Sequence, residues 1–207
     1  MVSGMSTPTR TDRSARANGL LVVAAMVALM WLLEIVDVIA GHRLDAYGIE
    51  PRSTEGLPEV VSAPFLHLGF DHLISNTVPF AVMGAAIALG GAARVLLVTA
   101  IVGVVSGLGV WLVAPEGTVT LGASGLVFGY ATYLIFRGLF NRSVLEIGVG
   151  LVVGALWGTA LLGGLLPQEG ISWQAHFFGA VGGLIAARAL ARRRGTAARL
   201  PGQRVAA

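Results

Sequence analysis

The sequence is dominated by six apolar stretches that approach or exceed the length needed to cross a lipid bilayer. About 20 apolar residues span the hydrocarbon core of a membrane as a helix. Only 12% of the residues are charged and the mean hydropathy is +0.79, whereas soluble domains carry about 25% charged residues. A soluble chain of 207 residues could not cover so much apolar surface. The sequence therefore predicts an all-α membrane protein with helices at 19–40, 72–90, 93–114, 124–140, 144–165 and 174–191.

The first stretch follows three arginines, Arg10, Arg13 and Arg16, in an arrangement that is also found in signal peptides. Its apolar run is about 20 residues long, which exceeds the roughly 7–15 residues of a signal-peptide core, and no clear small-residue cleavage site follows it. We therefore expect this stretch to be retained as the first spanning helix.

The fourth stretch is short and contains glycine, so it would be a poor helix to expose to lipid. Such a helix is tolerated where other helices surround it. We expect a six-helix bundle with this short helix at its centre, ringed by the first, second, third and fifth helices.

The basic residues are all arginine and are divided unequally between the connections. Twelve lie in the two tails and in the second–third and fourth–fifth turns, and two, Arg43 and Arg52, lie in the alternate connections. Arginine is enriched on the cytoplasmic side of membrane helices. This predicts a multi-pass cell-membrane protein with both termini cytoplasmic.

The chain is predicted to consist of a basic tail at 1–18, a six-span domain at 19–191 with an outer loop at 41–71, and a basic tail at 192–207.

The outer loop is long for a connection between two helices, and it contains prolines and apolar side chains such as Tyr47 and Leu57. We expect it to fold against the bundle.

Glu34 and Asp37 lie near the outer end of the first helix. They are candidates for functional acids inside the membrane, but at that depth a solvated or loop-bonded position is the better interpretation.

The chain contains no cysteine, which excludes disulfides, a thiolate nucleophile and cysteine-ligated metals. The isoelectric point of about 10.2 is also found in nucleic-acid-binding proteins. Arginines concentrated at the ends of the chain fit anionic lipid headgroups better. We expect the lipid bilayer as a partner, no nucleic acid and no cofactor, and the sequence leaves the oligomeric state open.

A serine opens the fourth stretch in the sequence Gly122-Ala123-Ser124-Gly125. This is not the G-x-S-x-G elbow of soluble hydrolases, because position 126 is leucine. Ser124 is a candidate nucleophile, and the alternative is a serine that caps a helix N-terminus.

A histidine, His176, opens the sixth stretch at the same predicted depth. A lone histidine there is more typical of a hydrogen-bonded packing residue than of a catalyst. The fourth and sixth stretches, however, each carry two glycines four residues apart, which allows close approach of two helices. If those faces meet, Ser124 and His176 come within hydrogen-bonding reach. The glycines concerned are Gly125 and Gly129 in the fourth stretch and Gly179 and Gly183 in the sixth.

The start of the second stretch supplies three further polar residues, His67, His72 and Asn76. His72 and Asn76 are four residues apart and therefore share one helix face. Both side chains can donate a hydrogen bond to an anionic oxygen, as acyl transfer requires. A metal site built from His67, His72 and His176 is the alternative. Without cysteine or an H-E-x-x-H motif it is weakly supported, and we predict no metal.

Three motifs together carry a resemblance to a known family. These are H-x-x-x-x-H-x-x-x-N on the second stretch, G-x-S-G on the fourth and A-H-x-x-G-x-x-x-G on the sixth. In this order, with six helices, they resemble the rhomboid intramembrane serine proteases over about residues 19–191. The outer loop lacks a Trp-Arg pair found in some members, and the seventh span of others is missing.

The resemblance implies specific roles for these residues. It implies a Ser124–His176 catalytic dyad, with Phe128 stacked on His176 where members often carry tyrosine. It implies an oxyanion hole that opens to the extracellular side, formed by His72, Asn76 and the Ser124 backbone N–H. Supporting roles follow for His67, which would tie the outer loop to the bundle, and for Gly122, Gly125, Gly129, Gly179 and Gly183.

The resemblance also implies a substrate class, namely transmembrane proteins cut in or near a membrane segment. The connection from Leu165 to Gln174 is either a cap over the site, with Trp173 at the membrane interface, or a plain turn with an interfacial tryptophan.

Two other functions stay open. One is an inactive relative that binds and escorts membrane proteins, although such proteins lack the serine or the histidine. The other is a small transporter, which would be expected to show internal repeats or charges at the membrane midplane.

Overall fold

The computed structural model describes residues 10–54 and 57–192. Its regular structure in those ranges is helical, with two isolated β-bridges. Six long helices and one short one follow each other along the chain. They are α1 (Arg10–Ile39), α2 (Glu59–Ser62), α3 (Phe70–Ala88), α4 (Ala92–Val113), α5 (Ser124–Asn141), α6 (Val144–Gly164) and α7 (Trp173–Ala189).

The long helices agree closely with the six predicted ones. The main difference is that α1 begins at Arg10 rather than near Gly19, because the polar segment before the apolar run continues the same helix. The predicted tail at 1–18 is therefore helical from Arg10 onwards. Residues 1–9 lie outside the described part of the chain, as does the predicted C-terminal tail beyond Arg192.

Three of the helices are long and apolar enough to cross a membrane by length and composition. Within the described residues these are Thr11–Ile39 of α1, together with α4 and α6. The chain is thus a membrane protein whose described part is all-helical, with three candidate spans. Passage of α3, α5 and α7 through the bilayer as well stays a prediction.

Helix α5 is the most enclosed element, and ten of its residues are buried. It packs on α3, α4, α6 and α7. The set of helices predicted to surround α5 was wrong in one respect. Helix α7 packs on α5 in the place expected for the first helix. Helix α1 instead packs on α3 and α4. With 18 residues α5 is shorter than α1, α4 and α6, but α7 is shorter still at 17 residues.

The contact between α5 and α7 is made by glycine. A Cβ added to Gly179 would collide with the Gly125 carbonyl, and one added to Gly183 would collide with the Gly129 carbonyl. The two backbones therefore touch directly, as the glycine spacing predicted. Helix α4 also packs against α7, where the Ser106 hydroxyl donates a 2.9 Å hydrogen bond to the Ala175 carbonyl.

Helix α6 is packed unevenly along its length. Near its N-terminus it lies against α5, where Gly138 faces the Glu146–Ile147 backbone and Gly150 faces Ile135. An ion pair of 2.8 Å between Arg137 and Glu146 reinforces this end. Further along, positions 154, 158 and 163 are glycines with nothing within 4 Å of where a Cβ would lie. These glycines therefore lie on a face of α6 that points away from the bundle, and the buried residues of α6 are in its first half.

The outer loop folds against the bundle, as predicted. Ile49 pairs with Thr120 through two backbone hydrogen bonds of 2.8 and 3.1 Å. A second apolar cluster forms beneath the loop, although Tyr47 and Leu57 are exposed. The cluster contains Ile49, Val60, Ala63, Leu66, Val110, Ala114, Leu121 and Ala175.

A glycine substitution tests the contact between α5 and α7. Gly183→Ala places a methyl group on the Gly129 carbonyl, and overpacking of this kind typically costs about 1–3 kcal/mol. Gly158→Ala is the matched control, because its Cβ would meet nothing within 4 Å. We expect a lower thermal unfolding temperature in detergent for the first variant and an unchanged or higher one for the second. Equal stability of the two variants would contradict the close packing.

Candidate active site

A cavity of about 880 Å³ lies at the end of the bundle that carries the outer loop. Five of the predicted site residues border this one cavity. Side chains from α3 and α6 form its walls, and the connection between α6 and α7 covers part of it. The predicted residues that line it are His72, Asn76, Ser124, Phe128 and His176.

The segment before α5 is held by the outer loop. Gly122 has φ of +117° and lies against the His72 ring, so a side chain there would be both strained and obstructed. Its N–H donates to the Ala63 carbonyl at 2.9 Å, and the next N–H, that of Ala123, donates to His67 Nε2 at 3.3 Å. Ser124 follows as the first residue of α5, while Ala123 occupies the cap position and makes no side-chain cap bond. The capping interpretation of Ser124 was therefore wrong.

The His67 imidazole is an acceptor in this arrangement. Its side chain is only 2% exposed, and burial, together with the nearby His72 ring, lowers the pKa of His67 to about 4. A neutral ring leaves Nε2 free to accept from the Ala123 N–H. His67 thus links the outer loop to the residue that precedes Ser124.

A backbone donor determines which nitrogen of the His72 ring carries the hydrogen. The Leu68 N–H donates to His72 Nδ1 at 3.3 Å, so a neutral His72 ring must carry its hydrogen on Nε2. That nitrogen lies beside Gly122 at the edge of the cavity. His72 therefore offers an N–H donor at the edge of the cavity that Ser124 also lines.

Asn76 lies one turn further along α3 and is buried. Its amide nitrogen donates to the His72 carbonyl at 3.1 Å. This bond uses one of the two amide hydrogens. The second hydrogen is left for a group in the cavity, which Asn76 borders.

His176 is oriented by two contacts and neither involves an acid. Its ring stacks on Phe128 with centroids 4.0 Å apart and planes 5° from parallel. Its Nδ1 lies 2.7 Å from the Gly164 carbonyl. A carbonyl can only accept, so His176 must donate from Nδ1 and its Nε2 must carry the free lone pair. The stack expected for Phe128 is present.

Gly164 was missed by the sequence analysis, although it contacts both rings. A Cβ on Gly164 would lie 2.6 Å from the Phe128 ring and 3.0 Å from His176 Nδ1. Only glycine lets the α6 backbone come near enough for its carbonyl to reach the imidazole. The glycine pair that ends α6 was the available signal, but glycine is so frequent in this chain that the pair did not stand out.

The connection between α6 and α7 borders the cavity through residues other than Trp173. Gln168, Gly170 and Ile171 line the main cavity. Trp173 begins α7 and lines a neighbouring cavity on the same side. The segment predicted as a possible cap thus borders the main cavity, its tryptophan lies beside that cavity, and the role of a cap stays a prediction.

Comparison with known proteins agrees with this arrangement. A family model described as the rhomboid domain matches residues 54–193. The chain belongs to the rhomboid family. The resemblance drawn from the three motifs is confirmed at this level.

Several bacterial proteins resemble this rhomboid over most of their length. An uncharacterized protein of Mycobacterium tuberculosis is 42% identical over 87% of this chain and 80% of its own. An uncharacterized protein of Mycobacterium leprae is 37% identical over 89% of this chain and 76% of its own. A Bacillus subtilis protein with the provisional name of rhomboid protease YdcA is 30% identical over 79% and 83% respectively.

The buried His67 of this rhomboid predicts a pH dependence of its stability. The folded protein resists protonation at His67 down to pH about 4, whereas an unfolded histidine titrates near pH 6.5. Stability is therefore full above pH about 6.5 and falls as the pH decreases toward 4, by about 3 kcal/mol from this group.

The measurement compares the wild type with His67→Gln by denaturant unfolding in detergent between pH 7 and 4. A glutamine oxygen can still accept from Ala123 but does not titrate. We expect the variant to lose about 3 kcal/mol less than the wild type over this range. Parallel curves for the two proteins would contradict a neutral, buried His67.

Proposed function

We propose that this rhomboid is an intramembrane serine endopeptidase, with Ser124 as nucleophile and His176 as general base. The observation that best supports this proposal is the hydrogen bonding of the His176 ring. Its Nδ1 donates to the Gly164 carbonyl, while the ring stacks on Phe128. This leaves Nε2 as the only ring atom able to accept a proton in the cavity that it shares with Ser124.

An acid is not required for this orientation. In a soluble triad a carboxylate holds the histidine tautomer and supports the imidazolium that forms. Here the Gly164 carbonyl fixes the tautomer, and its partial negative charge faces the ring when Nε2 becomes protonated. The end of α6 would thus take the place of the third triad residue.

Donors for a tetrahedral oxyanion border the cavity that the proposed nucleophile also lines. His72 Nε2–H and the second amide hydrogen of Asn76 supply two of them. Ser124 supplies the third from its backbone N–H, because the first residue of a helix has no acceptor for that group within the helix. Each such donor is worth about 10²–10³ in rate. Their convergence supports acyl transfer rather than binding alone.

The reaction then follows from these positions. Ser124 Oγ attacks the peptide carbonyl carbon and passes its proton to His176 Nε2. The C–N bond breaks and the leaving amine takes that proton, which leaves an acyl ester on Ser124. Water, deprotonated by His176, attacks the ester, and the proton returns to Ser124 Oγ as the new carboxyl group leaves.

The position of the cavity favours a helical membrane substrate. Apolar side chains of α3 and α6, among them Val78, Trp157 and Leu161, line the wall nearest the lipid. The second half of α6 has no fully buried residue, which favours entry of an extended segment between these helices. Peptide carbonyls inside a helix are hydrogen-bonded, so the substrate would have to unwind locally before attack. We infer six membrane passes, cytoplasmic termini and a cavity facing outward, as the arginine distribution predicts.

Removal of the nucleophile or the base tests the proposal. Ser124→Ala and His176→Ala should each lower cleavage of a single-span model substrate in proteoliposomes by about 10³-fold or more. Their thermal stability should stay close to that of the wild type. A fluorophosphonate should label the wild type but not Ser124→Ala.

Ser75→Ala is the matched control for labelling, because Ser75 is a second serine that borders the cavity. This variant should label like the wild type. Wild-type cleavage by Ser124→Ala or His176→Ala would contradict the dyad. Absence of labelling and cleavage in the wild type would favour the alternative of a binding or escort protein.

Gly164 provides a separate test of how His176 is oriented. Gly164→Ala inserts a methyl group between the α6 backbone and the Phe128–His176 stack, and a displacement of about 1 Å can cost roughly 10² in rate. Gly163→Ala is the matched control, since nothing lies within 4 Å of its Cβ. We expect kcat to fall in the first variant with little change in KM, and neither constant to change in the second. Equal turnover of the two variants would remove the carbonyl from the mechanism.

A further inference from the structure

A second polar cluster lies at the C-terminal end of α1, and the proposed reaction does not use it. Asp37 Oδ2 lies 3.2 Å from His42 Nδ1, and Asp45 Oδ2 lies 3.9 Å from the same nitrogen. One donor atom from each of the three side chains lies within 4.8 Å of the others. Among the described residues, His, Asp and Glu donors converge in this way only here.

The chain folds so that one helix end and one turn supply the three side chains. Asp37 is in the last turns of α1, and its other oxygen, Oδ1, accepts a 2.6 Å hydrogen bond from the Leu44 N–H. His42 is in the left-handed region at φ of +61°, which returns its ring toward Asp37. The loop-bonded position expected for Asp37 is confirmed, but the residue is buried rather than solvated.

Glu34 is an independent indication that a ligand belongs at this place. It lies one helical turn before Asp37 and is 1% exposed. Neither of its carboxylate oxygens makes a close hydrogen bond with the described residues, and the groups that act on it are the side chains of Asp37, Asp45 and His42 and the backbone of Gly69. Burial of a carboxylate that lacks a close partner is strongly unfavourable. Of the two positions expected for Glu34, solvated or loop-bonded, the solvated one was wrong because the residue is buried.

The cluster contains more carboxyl groups than basic groups. Three carboxyl groups lie near a single imidazole, so their ionised form carries an excess of negative charge, and one buried oxygen of Asp45, Oδ1, has no hydrogen-bond partner. A divalent cation would neutralise two of the charges. His42 is 56% exposed at its side chain, so an ion from the aqueous phase can reach the site.

We propose that Asp37, His42 and Asp45 bind a divalent transition-metal ion of the zinc or manganese class, with Glu34 as the buried fourth group. Imidazole nitrogen together with carboxylate oxygen is a donor set that suits Zn²⁺ and Mn²⁺ better than Ca²⁺ or Mg²⁺. The sequence analysis predicted no metal and weighed a site at His67, His72 and His176, so this inference departs from it.

The bound ion would have a structural role. It would connect the end of α1 to the first turn of the outer loop, residues 44–47. That loop later supplies the Ala63 carbonyl and His67, which hold the residues before Ser124. The inference is independent of whether Ser124 is a nucleophile.

Calorimetric titration of the full-length, untagged, metal-free protein in detergent tests the site. Zn²⁺, Mn²⁺, Ca²⁺ and Mg²⁺ are titrated separately, and thermal unfolding is followed with and without each ion. We expect one Zn²⁺ or Mn²⁺ per chain and a higher unfolding temperature in its presence. Absence of saturable binding by Zn²⁺ and Mn²⁺ would overturn the proposal.

Two variants locate the bound ion. Glu34→Gln and Asp45→Asn should each weaken Zn²⁺ binding at least tenfold, whereas Asp71→Asn, an exposed acid at the start of α3, should bind as the wild type does. Metal-free Glu34→Gln should be at least as stable as the metal-free wild type, because it removes a buried charge. Undiminished binding by both cluster variants would place the ion elsewhere and overturn the proposal.

X-ray absorption of the zinc-loaded wild type decides the ligands even if a variant fails to fold. The cluster predicts one imidazole nitrogen with two or three oxygens and no sulfur. A shell of two or more imidazoles would indicate His67, His72 and His176 instead, and would overturn the assignment to Asp37, His42 and Asp45.

Discussion

The direct backbone contact between α5 and α7 is the constraint on which the rest of the structure depends. In a bilayer, apolar side chains gain nothing by leaving lipid for each other, so helices associate through close packing and polar contacts. Gly179 and Gly183 rest on the carbonyls of Gly125 and Gly129, which fixes the two helices in register. Because α5 begins at Ser124 and α7 begins at Trp173, that register brings a serine and a histidine to one cavity.

Much of this arrangement could be predicted from the sequence because it depends on patterns of residue type. The apolar runs determine where the helices lie, and glycines four residues apart mark the faces that meet. The burial of Glu34 could not be predicted in the same way. It depends on how the loop after α1 folds over the helix end, and two residues in succession, Gly41 and His42, reverse the chain there with positive φ.

The hydrogen bonds between the histidines and the backbone are the clearest example of structure that the sequence does not reveal. His67 accepts from a backbone N–H, His72 accepts at Nδ1 from another, and His176 donates from Nδ1 to a carbonyl. Three identical side chains thereby differ in which ring nitrogen accepts a hydrogen bond and which one carries the hydrogen. Every backbone carries the same N–H and C=O groups whatever its residues are, so no pattern of residue types reveals these partners. The Gly164 carbonyl is the example with the greatest chemical consequence.

The uneven packing of α6 has a consequence for the surroundings of the protein. Its first half is fixed to α5 by Gly138, Gly150 and the Arg137–Glu146 ion pair, while its second half borders the cavity. If α6 crosses the bilayer as predicted, acyl chains rather than side chains would solvate the outward face of that half. Any outward displacement of it would then include work done against the lateral pressure and thickness of the bilayer, so lipid composition would influence access to the cavity.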